Sequence, residues 1–144
     1  MKAGFAVALL AIAMLCACAM AQENTADSWY KKGLEQLGRT PLEDVIKSYD
    51  RALEINPNNA TYWAAKGGIL SFLALTTNNT QSKYNESLEA YNKSLQLDPE
   101  NPWTWDQMGS TYLQMKRYNE SLEARYRAIE SIDKYQGKLP VTKT

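Results

Sequence analysis

Three short segments, WYKKG at 29–33, WAAKG at 63–67 and WDQMG at 105–109, share a tryptophan that precedes a glycine by four residues. The first two tryptophans are 34 residues apart, and the second and third are 42 residues apart. An Asn-Pro or Asp-Pro step closes the first two units at Pro57 and Pro99. A recurrence near this length is typical of stacked repeat proteins. The sequence therefore predicts three copies of one unit, with extra residues in the middle copy.

Each unit is predicted to be a hairpin of two helices. Trp105, Gly109 and Tyr112 fall at i, i+4 and i+7, which places them on one face of a helix. The second helix of the first unit has similar spacings at Val45, Tyr49 and Ala52. Because glycine has no side chain, it allows the second helix to approach the first closely. Helices this short are marginal in water on their own, so the copies are expected to share a core.

Around this frame the sequence resembles the tetratricopeptide repeat (TPR) family, whose pattern is Trp-x2-Leu-Gly-x2-Tyr, then Ala-x3-Phe, then Pro. The third copy matches best in its first half, with Trp105, Met108, Gly109 and Tyr112. The resemblance covers about Ala26 to Lys134 and recurs in register. It implies an all-α solenoid of three TPR helical hairpins, that is, six antiparallel helices. The expected segments are a hydrophobic leader helix in 1–21, repeats at 26–59, 60–101 and 102–135, and a flexible tail at 136–144.

Polar residues mark the expected ends of the helices. The stretch Thr40-Pro41-Leu42-Glu43 predicts a capping box with Pro41 at the first helical position. Asn101-Pro102 predicts a similar helix start. The segment 76–81 is rich in turn formers, so the extra residues of the middle copy are expected there, as a longer loop between its two helices. The last helix is expected to run to about Tyr135.

The amino-terminal segment has the features of an export signal. Lys2 is the only charge before Glu23, and residues 3–15 form a continuous apolar run. The small residues of Ala19-Met20-Ala21 then suit a signal peptidase. We therefore expect the repeats to lie outside the cytoplasm, secreted or attached to a membrane.

Two alternatives to simple cleavage stay open. The stretch Leu15-Cys16-Ala17-Cys18 looks like the lipobox of prokaryotic lipoproteins, in which Cys18 would become the lipidated first residue. Residues 3–21 also approach the roughly 20 residues that an uncleaved membrane-spanning helix needs. All three interpretations keep the repeats outside the cytoplasm in the usual orientation, and any membrane contact would be through the leader or a lipid.

The composition argues against catalysis and against nucleic-acid binding. The 16 basic and 16 acidic residues balance, so no net charge steers the chain to nucleic acid. Histidine is absent and both cysteines lie in the leader, which removes the usual acyl-transfer arrangements, disulfides and thiolate metal sites from the repeats. Carboxylates such as Glu120 and Glu123 fall among Lys and Arg on helix faces, where a solvated surface is expected. We expect no enzymatic activity, no cofactor and no metal.

A protein-binding groove is what the TPR resemblance implies, because first helices of successive TPR repeats line a concave surface. The corresponding positions are Tyr30, Leu34, Leu37, Gly68, Phe72, Trp103, Asp106, Ser110 and Gln114. Some TPR domains hold acidic tails with a clamp of Lys, Asn and Arg, and the matching positions are Tyr30, Leu34, Ala65, Trp103 and Gln107. None of these is basic, so an extended apolar segment or a helix of a partner protein is the expected ligand. Alternatively, Tyr30 and Leu34 seal the first repeat against the leader.

Five Asn-x-Ser/Thr triplets form a second unusual set. They begin at Asn59, Asn78, Asn85, Asn92 and Asn119. Two of them come from repeat duplication, since YNESLEA occurs at both 84–90 and 118–124. In an exported chain they are candidates for N-glycosylation where the organism has the machinery, and in a bacterium without it they carry no meaning.

The end of the third copy departs from the family pattern. Arg125 stands where the family has an aromatic residue, and no proline follows Ile132 closely. Solenoids need a polar terminal face. Either basic residues such as Arg125 cap the array, or Ile129 and Ile132 pack against a second copy of the protein. The second alternative would make the chain a self-associating structural protein of the cell envelope, and an accessory unit of an enzyme on another chain is a third interpretation.

Export is tested by mass spectrometry of the protein from its native source. We expect a mature amino terminus at Gln22, or a lipidated Cys18, in an extracytoplasmic fraction, because the leader has the apolar run and small residues that signal peptidases require. An intact Met1 on protein from the cytoplasmic fraction would contradict this expectation.

Overall fold

The computed structural model describes residues 24–77 and 80–138, and the regular structure in them is entirely helical. The predicted leader and Cys18 lie outside these ranges, as do Asn78 and residues 139–144. The helices are α1 (Ala26–Gln36), α2 (Leu42–Ile55), α3 (Ala60–Thr76), α4 (Thr80–Leu97), α5 (Pro102–Gln114) and α6 (Tyr118–Lys138). These are the six helices that the repeat pattern predicts. The chain divides after Pro57 into two compact units.

The first unit contains the hairpin of α1 and α2. Thr25 caps α1 by accepting a hydrogen bond from the Ser28 backbone N–H, and Ser28 caps the Thr25 N–H in return. Tyr49 on α2 is buried and lies so close to Gly33 of α1 that any side chain at Gly33 would collide with its ring. The predicted close approach of the two helices at a glycine is therefore present.

The predicted capping box at the start of α2 is wrong. The helix begins at Leu42 with Pro41 at the N-cap position, where no side chain accepts a backbone hydrogen bond. The Thr40 hydroxyl instead donates to the carbonyl oxygens of Gln36 and Pro41, at 3.5 and 3.4 Å. Its hydroxyl thus points back to the end of α1 rather than to the first turn of α2.

The second unit contains two further hairpins, α3 with α4 and α5 with α6. Tyr91 of α4 is fully buried against Gly67 of α3, repeating the arrangement of the first unit. Leu88, Tyr91 and Leu95 of α4 form a core cluster with Met108 of α5. This cluster joins the two hairpins, because its members come from both. Burial raises the pKa of the Tyr91 phenol to about 12.

The extra residues of the middle copy lengthen its helices and do not form the predicted loop. α3 has 17 residues and α4 has 18, against 11 and 14 in the first hairpin. Thr76 belongs to α3 and Thr80 to α4, so the connection is short. Burial of apolar side chains stabilises the added turns. The buried residues are Leu73 and Ala74 of α3 and Tyr84 of α4.

The third hairpin differs from the other two at its crossing point. A methyl group at Gly109 would lie 2.9 Å from Arg125 Cγ, so the aliphatic stem of Arg125 takes the place of the tyrosine ring. Asn101 caps α5 by accepting from the Thr104 backbone N–H at 3.0 Å, with Pro102 in the first turn, which confirms that predicted helix start. α6 continues to Lys138, so residues 136–138 are helical and not part of a tail. No helix in the described part of the chain is long and apolar enough to cross a membrane.

We predict that Gly67→Ala destabilises the protein, whereas Gly68→Ala does not. A methyl group at Gly67 would lie 2.7 Å from the Tyr91 ring, and overpacking of this kind costs about 1 to 3 kcal/mol. At Gly68 the nearest atom is Tyr91 Oη at 3.7 Å, so alanine should gain up to about 1 kcal/mol from its higher helix propensity. Urea unfolding followed by circular dichroism measures both. Equal midpoints for the two variants would contradict the assigned crossing point.

Candidate functional site

A shallow cavity lies between the first helices of the second and third hairpins. Its volume is about 180 Å³. Its lining residues are Gly68, Ser71, Phe72 and Leu75 of α3 and Gln107, Ser110 and Gln114 of α5. The two helices are joined beside it by a hydrogen bond of 3.0 Å between the hydroxyls of Ser71 and Thr111. We call this cavity the α3–α5 groove.

The floor of the α3–α5 groove is set by Gly68. Because this residue has no side chain, the Tyr91 hydroxyl lies beneath it, 3.7 Å from the position of a Cβ atom. The hydroxyl is buried near Ser87 and Thr111 without hydrogen-bond geometry to any described group. Ser87 itself donates to the Gly67 carbonyl at 2.7 Å. The groove is therefore deepest at Gly68, and longer side chains form its walls.

Apolar side chains are exposed at the rim of the groove. Phe72 is 53% exposed and Leu75 is 52% exposed, on the same face of α3. The facing residues of α5 are polar and uncharged: Gln107, Ser110 and Gln114. Leu75 is absent from the predicted set, although its spacing of three residues from Phe72 indicates a shared face. Four predicted groove residues, Gly68, Phe72, Ser110 and Gln114, thus lie together.

The predicted residues Trp103 and Asp106 lie elsewhere on α5. They line a separate cavity of about 460 Å³ together with Arg125, Ile129 and Ile132 of the third hairpin. We call this surface, between α5 and α6, the end face. Trp103 is 52% exposed. The residues of the third copy are therefore divided between two surfaces.

The three predicted groove residues of the first copy belong to the first unit. Tyr30 packs against Tyr49, with ring centroids 5.4 Å apart, and burial raises the pKa of its phenol. Leu34 and Leu37 are exposed by 42% and 40%. Leu34 on α1 and Leu37 directly after its end give the first unit an apolar surface of its own.

The repeated tryptophans are half-buried, and each carries a cation over its ring. Lys32 lies 4.4 Å from the Trp29 ring centroid and Lys66 lies 5.7 Å from that of Trp63. In the third hairpin, Arg127 of α6 takes this position over Trp105, at 5.3 Å. Cations in this geometry are attracted to the ring face. The lysine three residues after the tryptophan is a sequence signal for this contact in the first two copies.

Several carboxylates form surface ion pairs within single helices. Asp44 pairs with Lys47 at 2.8 Å, and Glu123 pairs with Arg127 at 3.0 Å. Exposed pairs of this kind contribute little to stability, about 0 to 1 kcal/mol. In the described residues no group of three or more His, Cys, Asp or Glu could hold a metal ion.

The four described glycosylation candidates have two kinds of environment. Asn59 caps α3 by accepting from the backbone N–H of Thr61 and Tyr62. The other three asparagines lie exposed on the outer helices, at Asn85, Asn92 and Asn119. The serine that completes each of these three triplets is buried, as Ser87, Ser94 and Ser121. Packing thus accounts for the serines independently of any modification.

Sequence comparison finds repeat signatures in the second half of the chain. Residues 80–116 match a family model described as TPR repeat, and residues 104–135 match another, described as Tetratricopeptide repeat. No curated protein matches the chain by sequence.

Several solved structures share this fold, TPR domains among them. The crystal structure of MamA protein aligns with a TM-score of 0.68 at 17% identity, over 83% of this chain and 62% of that one. The Arabidopsis OM64 TPR domain aligns with a TM-score of 0.64 at 17% identity, over 74% and 81% of the two chains. The second TPR of Spaghetti (RPAP3), solved with HSP90 peptide SRMEEVD, gives 0.59 at 19% identity, over 77% and 95%.

The chain spans about three fifths of the length of the MamA structures. At identities of 17 to 19% the likeness to these structures shows the fold. The chain has the TPR fold, with TPR repeat sequence across residues 80–135.

Proposed function

We propose that this protein is an exported or envelope-tethered interaction module that binds a peptide or helix of another protein and catalyses no reaction. The observation that carries the proposal is the pair of half-exposed apolar side chains, Phe72 and Leu75, at the rim of the α3–α5 groove. Apolar side chains clustered at the surface of a folded protein often mark a partner site. TPR structures such as that of Spaghetti, solved with a bound peptide, support a role in protein binding.

The chemistry of the groove selects an apolar ligand with a few hydrogen-bonding groups. Phe72 and Leu75 offer apolar contact, while Gln107, Ser110 and Gln114 can donate and accept hydrogen bonds. Among the described residues, no lysine or arginine lines the cavity, in contrast to what an acidic tail would require. The partner segment is therefore unlike the acidic peptide SRMEEVD in the Spaghetti structure.

The proposed ligand inserts one apolar side chain above Gly68. A larger residue there would fill the space between Phe72 and the helix α5, and glycine leaves it open above the Tyr91 hydroxyl. The apolar residues Tyr30, Leu34 and Leu37 of the first unit are proposed as a partner contact of their own. Trp103 lies on the end face and is left out of the α3–α5 groove.

Location outside the cytoplasm is part of the proposal and is supported by the leader. Its single lysine and apolar run are typical of export signals, and Cys18 offers a lipid attachment point. Exposed Asn85, Asn92 and Asn119 are proposed glycosylation sites if the host modifies such triplets. They lie on α4 and α6, so glycans there would leave the α3–α5 groove accessible.

A second function is favoured by a different surface. Ile129 and Ile132 on α6 are exposed by 59% and 43%, which supports the alternative of a self-associating structural protein of the envelope. The two functions use different residues and can coexist, because the groove lies between α3 and α5.

The groove is tested with peptides selected from a displayed random library against the wild-type protein. We expect selected apolar peptides to bind the Phe72→Ala variant at least about tenfold more weakly, because aromatic anchors concentrate binding energy. Tyr118→Ala is the matched control, since Tyr118 is also an exposed aromatic residue of the second unit, 62% exposed, but lies outside the groove. Isothermal titration calorimetry gives the affinities, and circular dichroism checks that helicity is unchanged.

The proposed site would be wrong if both alanine variants lost affinity equally, or if neither did. Peptides enriched in Asp and Glu would contradict the proposed ligand chemistry even if they bound in the groove.

A further inference from the structure

The end face exposes apolar side chains that a helical repeat would ordinarily bury. Leu122 is 57% exposed and Ile129 is 59% exposed, both on α6, and Trp103 at the start of α5 is 52% exposed. Trp103 and Ile129, together with Ile132, line the cavity of about 460 Å³. Leu122 lies seven residues before Ile129, so it is on the same face of α6. Exposed apolar surface of this kind on one face of a helix pair indicates a contact surface.

The preceding repeat shows how such a surface is used. A shift of 34 residues relates Leu122 to Leu88 and Ile129 to Leu95. Leu88 and Leu95 are each only 7% exposed, because Met108 of α5 packs against them. The end face thus retains the apolar residues that in the second copy receive a further helix.

Two charges distinguish the end face from its counterpart. Arg125 stands at the position of Tyr91, by the same shift of 34 residues. Asp106 stands at the position of Ala64, because the first helices of the two copies are 42 residues apart. Tyr91 and Ala64 are both buried in the second copy. Arg125 reaches Ser110, with Nη2 donating to Oγ at 3.4 Å. No ion pair joins Arg125 to Asp106 in the described part of the chain, although they line the same cavity. The face therefore presents one acid and one base among apolar residues.

We propose that the end face binds a second copy of this chain through its own end face, forming a two-fold symmetric dimer. The two-fold axis lies in the plane of the interface, parallel to α5 and α6 and midway between them. It places α5 of one copy over α6 of the other. Asp106 then meets Arg125 of the second copy, and the same pair forms again on the other side of the axis. Trp103 meets Ile129 and Ile132 of the second copy. In an interface of this symmetry, contacts occur in such reciprocal pairs.

The charges of the end face are complementary to themselves. Asp106 and Arg125 line the same cavity, and a second copy of this face, turned by a two-fold axis, offers each charge its opposite. This complementarity favours a second copy of the chain as the occupant.

The test uses a charge exchange across the proposed interface, on protein purified in the form in which its host processes it. We expect sedimentation velocity to show a monomer–dimer equilibrium for the wild type. Asp106→Arg alone and Arg125→Glu alone should each weaken dimerisation by about tenfold or more, since each places like charges opposite one another. The double variant Asp106→Arg/Arg125→Glu should restore dimerisation to within about threefold of wild type, because the pairs form again with exchanged signs.

Glu89→Arg is the matched control, as an equal charge reversal at an exposed residue on α4 away from the end face. It should leave the dimerisation constant unchanged. Thermal melting of dilute protein distinguishes a weakened dimer interface from a destabilised fold. Each variant should have a melting temperature close to that of the wild type. A wild type that stays monomeric into the millimolar range would overturn the proposal. So would a double variant that dimerises as weakly as the single variants while remaining folded.

Discussion

The structure depends on a close approach of two helices at a residue without a side chain. At Gly67 the ring of Tyr91 lies directly on the backbone of the neighbouring helix, and Gly33 and Tyr49 repeat this contact. A large aromatic ring can fill the space between two helices only where the opposite position is empty. The buried tyrosine then offers its other side to the next helix, as Tyr91 does to Met108. One contact therefore supports both the hairpin and the stacking of hairpins in the second unit.

The third hairpin shows the effect of replacing the tyrosine in this contact. The stem of Arg125 covers Gly109, so the hairpin still closes, but the position ends in a charge. A guanidinium group cannot be covered by an apolar helix without a partner charge. The second hairpin, with Tyr91 at this position, thus packs against a further helix, whereas the third hairpin, with Arg125, presents the end face. It also explains why α6 carries exposed leucine and isoleucine beside a polar centre.

Much of the fold could be predicted from the sequence, because the glycine spacing reports directly on helix crossing. The helix start at Asn101 was also predictable, because a cap depends only on residues next to each other in the sequence. The loop expected at 76–81 was wrong because the polar residues there are short-range turn signals, while burial of Leu73 and Tyr84 favours longer helices. Thr40 does not cap α2 because its hydroxyl donates to the Gln36 carbonyl oxygen at the end of α1. The capping-box pattern of residues 40–43 does not show this competing bond. For the groove, helical spacing brought Gly68 and Phe72 together, but it could not separate Trp103 from Ser110, because that depends on the position of α6.

Native-state hydrogen exchange tests the central role of the Gly67–Tyr91 contact most directly. At a concentration at which the protein is monomeric, the amides of α3 and α4 around Gly67 and Tyr91 should exchange most slowly in the second unit, through global unfolding only. The amides of α6 near Ile129 should exchange faster, because that helix lacks a buried aromatic residue at its crossing point. Equal protection in α6 and in α4, or slower exchange in α6, would contradict the account.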